Sequence, residues 1–331
     1  MQSASIFPNR RLRAGIAVAV VLSAGLVVAQ TDVPSTVFRA RTELVVLQVS
    51  VSDGQRRHVA GLRAENFTVF DEGVPQPLAL FATSESPLDV LLLMDTSGSM
   101  DVHLPVATAA AVDLVGTLRQ GDRAGLLLFD VGATTAHPLT DDHRSVIAAI
   151  QAVSPGGATA VYEAVYLALD TLSRVRRADG GVRRQALVVL SDGVDNASRI
   201  PFEQALDSAR RGDVTIFTIM PGRLPTATPA TASVGRHEPT VRFEMRRLAE
   251  DTGGRAFVAT DPAGLTGVYE QIGSELRAQY WLAYAPGSSR AGYRRVSVRV
   301  NDPPGLLART RTGYNAGSPA TASSSPTARR R

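Results

Sequence analysis

The chain has 331 residues, enough for about two domains at a typical size of roughly 150 residues each. Hydrophobic residues make up 44% of the chain and charged residues 20%, values typical of a folded globular protein and not of a disordered one. Cysteine is absent, and so is lysine, because all 35 basic residues are arginines. These absences exclude disulfides, cysteine nucleophiles, CxxC metal sites, Walker-type phosphate lysines and Schiff-base chemistry.

The N-terminal segment has the pattern of an export signal. A basic stretch, Arg10 to Arg13, precedes sixteen small or apolar residues that end at Ala29. This order predicts a signal peptide over residues 1–29, cleaved after Ala29 to release an exported protein. The alternative is an uncleaved segment that anchors the chain, and only then do we expect contact with a membrane.

The net charge of +4 does not indicate nucleic-acid binding. The basic excess lies in two terminal segments, Arg10 to Arg13 and Arg329 to Arg331, which leave a body close to neutral between them. A nucleic-acid partner would require a basic patch on the folded part of the chain. We therefore expect no nucleic-acid partner.

Two segments with β-strand character flank the centre of the chain, at 34–85 and 279–314. Each combines apolar and β-branched runs with turn residues, and each alone would leave strand edges unpaired. We expect them to pair into one smaller all-β domain, with two independent flaps as the alternative. The predicted strands are 42–52, 59–62, 67–70, 78–81, 280–284, 293–300 and 306–312.

Between the flanks, residues 86–278 alternate between strand and helix patterns. This alternation predicts an α/β fold with a doubly wound, mainly parallel sheet covered by helices on both faces. The predicted strands are 89–94, 124–129, 185–190, 214–220 and 255–258, and the predicted helices are 105–118, 142–153, 160–174, 202–211, 241–250 and 263–276. The last segment, 315–331, is rich in Ser, Thr, Ala and Pro and is predicted to be disordered.

Oxygen-bearing side chains cluster at the predicted carboxyl ends of the strands, where a ligand of such a sheet is expected. Asp95, Ser97 and Ser99 directly follow the first strand, Thr159 lies in a Gly-rich loop before a helix, and Asp192 follows a later strand. Hard oxygen ligands with few charges are what Mg²⁺ prefers, with Mn²⁺ or Ca²⁺ as substitutes. The sequence therefore predicts a divalent-cation site on these five residues.

This arrangement resembles the metal-ion-dependent adhesion site of the von Willebrand factor type A (VWFA) domain, and the resemblance covers residues 86–278. The flanking segments look like those of bacterial secreted VWFA-related proteins. The resemblance implies that Ser97, Ser99 and Thr159 contact the cation directly, while Asp95 and Asp192 hold it, often through water. It also implies that an acidic side chain of a partner protein completes the coordination.

Three function classes follow from this pattern. The first is an exported, non-enzymatic protein-binding or adhesion module that engages an acidic residue of a partner through the cation. The second is a structural or assembly component of the cell envelope, with a vestigial or stabilising metal site. The third is a metal-dependent hydrolase, which is disfavoured because HExxH, GxSxG and GxGxxG motifs are absent and the five histidines are scattered. We expect no catalytic residue.

Several nearby residues have two interpretations. Asp195 and Asn196 either border the site or are solvated loop residues, and Asp130 either borders it or caps an element. Trp281 and the tyrosines beside it favour packing within a strand core over an exposed aromatic patch.

Overall fold

The structure is a computed structural model that describes residues 44–55, 57–83, 86–179, 183–221, 238–259, 262–288 and 290–317. The predicted signal peptide, 1–29, lies outside the described residues, as does the predicted disordered tail from residue 318 onward. All of the described residues belong to one compact unit.

The described elements are fourteen strands and six α-helices. The strands are β1 (Val45–Ser52), β2 (Phe67–Asp71), β3 (Val74–Gln76), β4 (Leu78–Thr83), β5 (Leu88–Asp95), β6 (Arg123–Phe129), β7 (Ala133–Thr140), β8 (Arg184–Leu190), β9 (Val214–Pro221), β10 (Ala256–Ala259), β11 (Tyr280–Tyr284), β12 (Gly292–Val300), β13 (Leu307–Arg309) and β14 (Gly313–Ala316). The helices are α1 (Leu104–Gly116), α2 (His143–Gln151), α3 (Val161–Asp179), α4 (Phe202–Arg211), α5 (Glu238–Asp251) and α6 (Pro262–Arg277).

The central sheet confirms the predicted α/β fold. Its strand order is β10-β9-β8-β5-β6-β7, and every pair is parallel except β6 with β7. Side chains of β5 alternate between two cores, which explains its continuous apolar run. One core packs against α1, α2 and α6, and the other packs against α3, α4 and α5.

The flanking segments form two four-stranded antiparallel sheets, ordered β13-β1-β11-β4 and β14-β12-β2-β3. Each sheet combines strands from both flanks, for example β1 with β11 and β2 with β12. Their inner faces share one hydrophobic core. Tyr280 and Tyr284 lie in this core and are fully buried, and Trp281 is buried outside it at 8% exposed. These aromatic residues therefore pack and do not form an exposed patch, as predicted.

The structure corrects the predicted elements at five places. Residues 59–62 are not a strand, because Val59 and Leu62 use backbone groups to bind the Tyr280 hydroxyl. Strands β3 and β7 were not expected, and 306–312 holds only the short β13. Strand β14 reaches Ala316, so the predicted tail starts too early at residue 315.

The two antiparallel sheets together form a β-sandwich. This sandwich contacts the central sheet at the amino ends of the central strands. Gln48 of β1 hydrogen-bonds the backbone oxygen of Asp213 at 3.3 Å and the hydroxyl of Thr215 at 3.2 Å. Ser50 donates a 3.0 Å hydrogen bond to Glu275 near the end of α6. The carboxyl edge of the parallel strands therefore lies at the end of the sheet opposite these contacts. Among the described helices, none is both long and apolar enough to cross a membrane.

Candidate metal site

The candidate site lies where the chain order of the central sheet reverses. Strand β5 is first in the α/β region, and its neighbours are β6 on one side and β8 on the other. Loops leaving the carboxyl ends of such strands diverge and leave a crevice between them. Asp95, the last residue of β5, stands at this crevice, and the turn that carries Ser97 and Ser99 follows it.

Asp95 is fully buried, with 0% of its surface exposed. Its Oδ1 accepts a hydrogen bond from the Ser97 backbone N–H at 2.9 Å, and its Oδ2 accepts one from the Ser191 hydroxyl at 2.5 Å. Burial raises the pKa of Asp95, while these hydrogen bonds from Ser191 and Ser97 oppose the rise. Among the described residues, no arginine or histidine forms an ion pair with this carboxylate.

A second buried aspartate on the same strand, Asp89, differs from Asp95 because it has arginine partners. Asp89, near the amino end of β5, is 1% exposed and accepts hydrogen bonds from Arg123 at 2.9 and 2.8 Å and from Arg183 at 2.7 Å. Buried charges in proteins are paired with an opposite charge or bind a metal. The strand thus provides arginine partners at one end and, within the described residues, none at the other.

The turn after β5 is tied to the Gly-rich loop by backbone hydrogen bonds. The N–H of Gly98 donates to the oxygen of Gly157 at 3.3 Å, and the N–H of Gly156 donates to the oxygen of Thr96 at 2.6 Å. Within the turn, the hydroxyls of Ser97 and Ser99 lie 3.1 Å apart. The two loops therefore lie side by side, and together they carry all three predicted hydroxyl ligands.

Thr159 is held by the loop that follows β8. Its backbone N–H donates to the side-chain oxygen of Asn196 at 3.0 Å, and its backbone oxygen accepts from the N–H of Asn196 at 3.0 Å. Asp195 accepts a 3.0 Å hydrogen bond from the backbone N–H of Tyr162 in the first turn of α3. Asp195 and Asn196 are therefore neither simple solvated residues nor ligands in this arrangement, because they anchor the Thr159 loop.

Asp192 lies on the same loop and is partly exposed. Its Oδ1 accepts a hydrogen bond from the Val194 N–H at 3.1 Å. Asp192 directly follows Ser191, whose hydroxyl donates to Asp95, so this loop lies beside Asp95. The charge of Asp192 makes the smallest contribution to the raised pKa of Asp95. The same charge opposes the effect of burial, which lowers the pKa of His103. The sequence gives no signal for His103, since a lone histidine eight residues after Asp95 matches no metal-ligand spacing.

Close packing against Asp130 fixes the Gly-rich loop. Gly157 has a φ of +89°, and a Cβ there would fall 2.5 Å from Oδ2 of Asp130 and 2.6 Å from its Cβ. The backbone oxygen of Asp130 also accepts a 2.8 Å hydrogen bond from Ala160. Asp130 thus supports the loop, which answers the question that its sequence position leaves open.

The donor set fits a hard divalent cation. Over the ranges that the structure describes, no group of three or more histidine, aspartate or glutamate side chains is placed to hold a metal. The candidate site differs from such a group because it combines two carboxylates with three hydroxyls. Thr159 and Ser97 are buried, and Ser99 and Asp192 are open to solvent, so the cluster is reachable from outside. Oxygen ligands of low total charge suit Mg²⁺ with part of its water retained.

Comparison with known proteins agrees with the resemblance in sequence. Residues 90–194 match the family profile of the von Willebrand factor type A domain. A UPF0353 protein of Mycolicibacterium paratuberculosis is 29% identical over 224 residues, covering 63% of this chain and 66% of the relative. Another, from Nocardia farcinica, is 26% identical over 215 residues, covering 56% of this chain and 63% of the relative. The chain thus spans less than two thirds of the length of these relatives.

Solved structures with a similar fold are more distant in sequence. A von Willebrand factor type A protein from Catenulispora acidiphila is 14% identical with a TM-score of 0.48, and the match covers 84% of this chain and 74% of that one. The conserved hypothetical protein BatB of Bacteroides thetaiotaomicron is 20% identical with a TM-score of 0.43, and the match covers 58% of this chain and all of that one.

Proposed function

The chain contains a von Willebrand factor type A domain, which indicates a protein-interaction module, and we propose that it binds its partner through a divalent cation. In this proposal Mg²⁺ is the cation, with Mn²⁺ or Ca²⁺ able to replace it. The partner is a protein that presents an acidic side chain. The module carries out no chemical reaction, and it acts after export from the cytoplasm.

The observation that carries this proposal is the isolated carboxylate of Asp95. A fully buried carboxylate that accepts hydrogen bonds only from neutral donors is costly unless a positive charge compensates it. Asp89 on the same strand receives that compensation from two arginines. A cation at the carboxyl edge of the sheet would supply it to Asp95.

The five residues fall into two groups with different roles in the proposal. Ser97, Ser99 and Thr159 contact the cation directly with hydroxyl oxygens, while Asp95 and Asp192 orient its bound water and balance its charge. The bound cation supplies an electrophilic coordination position that a partner carboxylate can occupy. The hydrogen bonds from Ser191 and between the loops keep the ligands in place before the cation arrives.

Export of the protein rests on the pattern of the first 29 residues, which lie outside the described part of the chain. An exported binding module would present the site to partners in the cell envelope or beyond it. The position of the site supports this use, because the named contacts with the β-sandwich lie at the other end of the sheet.

The test is calorimetric titration of Mg²⁺ into chelator-treated protein without residues 1–29, with circular dichroism to check the fold. We expect saturable binding at one site, weakened at least about tenfold in Asp95→Asn. The matched control is Asp207→Asn, an exposed aspartate on α4, which should bind Mg²⁺ like the wild type. If the folded wild type takes up no Mg²⁺, Mn²⁺ or Ca²⁺, or if Asp95→Asn binds them equally well, the proposal is wrong.

A further inference from the structure

Three exposed valines surround the candidate site. Val102, Val131 and Val194 are 67%, 63% and 41% exposed. They lie in the loops that follow β5, β6 and β8, which are adjacent strands of the sheet. Because these strands are parallel, all three loops leave the same edge. Each of these three loops therefore presents one of the valines to solvent.

The opposite edge of the same sheet has a different character. There the charged residues pair with each other, including Asp89 with Arg183 and Asp213 with Arg176 of α3. Single exposed valines are ordinary on a protein surface, but apolar residues grouped around a crevice mark an interaction site. The three valines therefore favour a partner with apolar side chains.

The charged residues around the valines are mostly acidic. The loops after β5, β6 and β8 carry Asp101, Asp130 and Asp195 in addition to the two proposed ligands, against the single basic side chain of Arg199. This charge would repel an acidic partner wherever the cation does not compensate it. Only one carboxylate, the one at the cation, can then be accommodated.

From these features, and resting on the cation site proposed above, we infer the chemistry of the partner. It presents one acidic side chain with aliphatic residues on both sides and no second acidic residue beside it. The acid coordinates the cation, and the aliphatic side chains pack on Val102, Val131 and Val194. The valines thus act as specificity residues, selecting among acidic segments by what flanks the acid.

Short labelled peptides test this inference directly by fluorescence anisotropy. The probes are Ser-Leu-Glu-Leu-Ser, Ser-Ser-Glu-Ser-Ser, Ser-Asp-Glu-Asp-Ser and Ser-Leu-Gln-Leu-Ser, each measured in Mg²⁺ and again in chelator. Burial of two leucine side chains should tighten the leucine-flanked glutamate peptide at least about tenfold over the serine-flanked one. The aspartate-flanked and glutamine peptides should bind more weakly than the leucine-flanked glutamate peptide.

Variants assign the preference to the valines. Val131→Ser and Val102→Ser should reduce the advantage of the leucine-flanked peptide several-fold while leaving Mg²⁺ affinity unchanged by calorimetry. The matched control is Val74→Ser, since Val74 is 58% exposed on β3 of the sandwich, and it should behave like the wild type.

The outcomes separate this inference from the proposal on which it rests. If Mg²⁺ binds but the leucine-flanked and serine-flanked peptides bind equally, or neither binds, the valine inference is overturned and the cation site stands. If the leucine-flanked peptide binds equally well in chelator, the cation-dependent function fails. An advantage that persists in both valine variants also overturns the inference.

Discussion

Replacing Gly157 by alanine tests whether the Gly-rich loop is held in place by its packing against Asp130. The added Cβ would fall 2.5 to 2.7 Å from three atoms of the Asp130 side chain, including its Cβ. Rotation of the carboxylate cannot relieve contact with a Cβ, so the backbone of one loop must move. Gly157 also has a φ of +89°, which alanine rarely adopts.

The cost of this substitution has two parts. The left-handed backbone costs about 1 to 2 kcal/mol for a residue with a Cβ. Separating the loops weakens the hydrogen bonds from Gly98 to Gly157 and from Ala160 to Asp130, each of which contributes about 1 kcal/mol. We therefore expect the free energy of unfolding to fall by about 2 to 4 kcal/mol. The hydrogen bond from Gly98 to Gly157 also holds the turn that carries Ser97, so Mg²⁺ affinity should fall as well.

The neighbouring glycine provides a matched control. A Cβ on Gly156 would meet nothing within 4 Å, and its φ is not in the left-handed region. Urea denaturation should show Gly156→Ala within about 0.5 kcal/mol of the wild type, as for most surface changes. If Gly157→Ala is no less stable than Gly156→Ala, the packing of the loop against Asp130 does not constrain it.

Three further substitutions test buried polar groups. Ser191→Ala removes the hydrogen bond to Asp95 and should lower the free energy of unfolding by about 2 kcal/mol in chelator, measured in urea. Asp71→Asn leaves the half-buried Arg294 without its buried carboxylate partner and should cost about 3 kcal/mol by the same assay, whereas an unchanged midpoint would contradict the pairing. The pKa of His58 is lowered, chiefly by burial and then by nearby arginines, so its folded form resists protonation. Stability should therefore fall as the pH drops below about 6.5, and His58→Gln should make this loss smaller than in the wild type.

The α/β region was predictable because both of its signals are local. A strand buried on both faces must be apolar throughout, as β5 is, and amphipathic helices repeat every 3.6 residues. The edge strand β7 follows neither rule, since half of its residues are exposed, none is buried and it contains Pro138. Its place in the sheet is decided by pairing with β6, which the sequence does not display.

The five proposed ligands were recognisable because each carries an oxygen at the end of a predicted element. The residues that position these ligands were not recognisable, because most of them contact backbone groups or, like glycine, matter because they have no side chain. Asn196 binds the backbone of Thr159, and Gly157 matters for the space it leaves beside Asp130. Nothing in the sequence marks the role of Ser191, although its hydroxyl makes the shorter of the two hydrogen bonds to Asp95.

The two ends of the central sheet have different roles, one in stability and the other in the proposed recognition of a partner. At the amino ends, buried or half-buried ionic and hydrogen-bonded groups such as Ser50, Glu275 and Arg309 join the sandwich to α6. These contacts fix the orientation of the sandwich, and they leave the loops at the carboxyl ends free of that task. These loops can then hold a buried carboxylate that has no counter-charge among the described residues, an arrangement that costs stability unless a ligand compensates it. Because proteins accept such local costs mainly at functional sites, the contrast between Asp89 and Asp95 supports the cation site independently of any resemblance to other proteins.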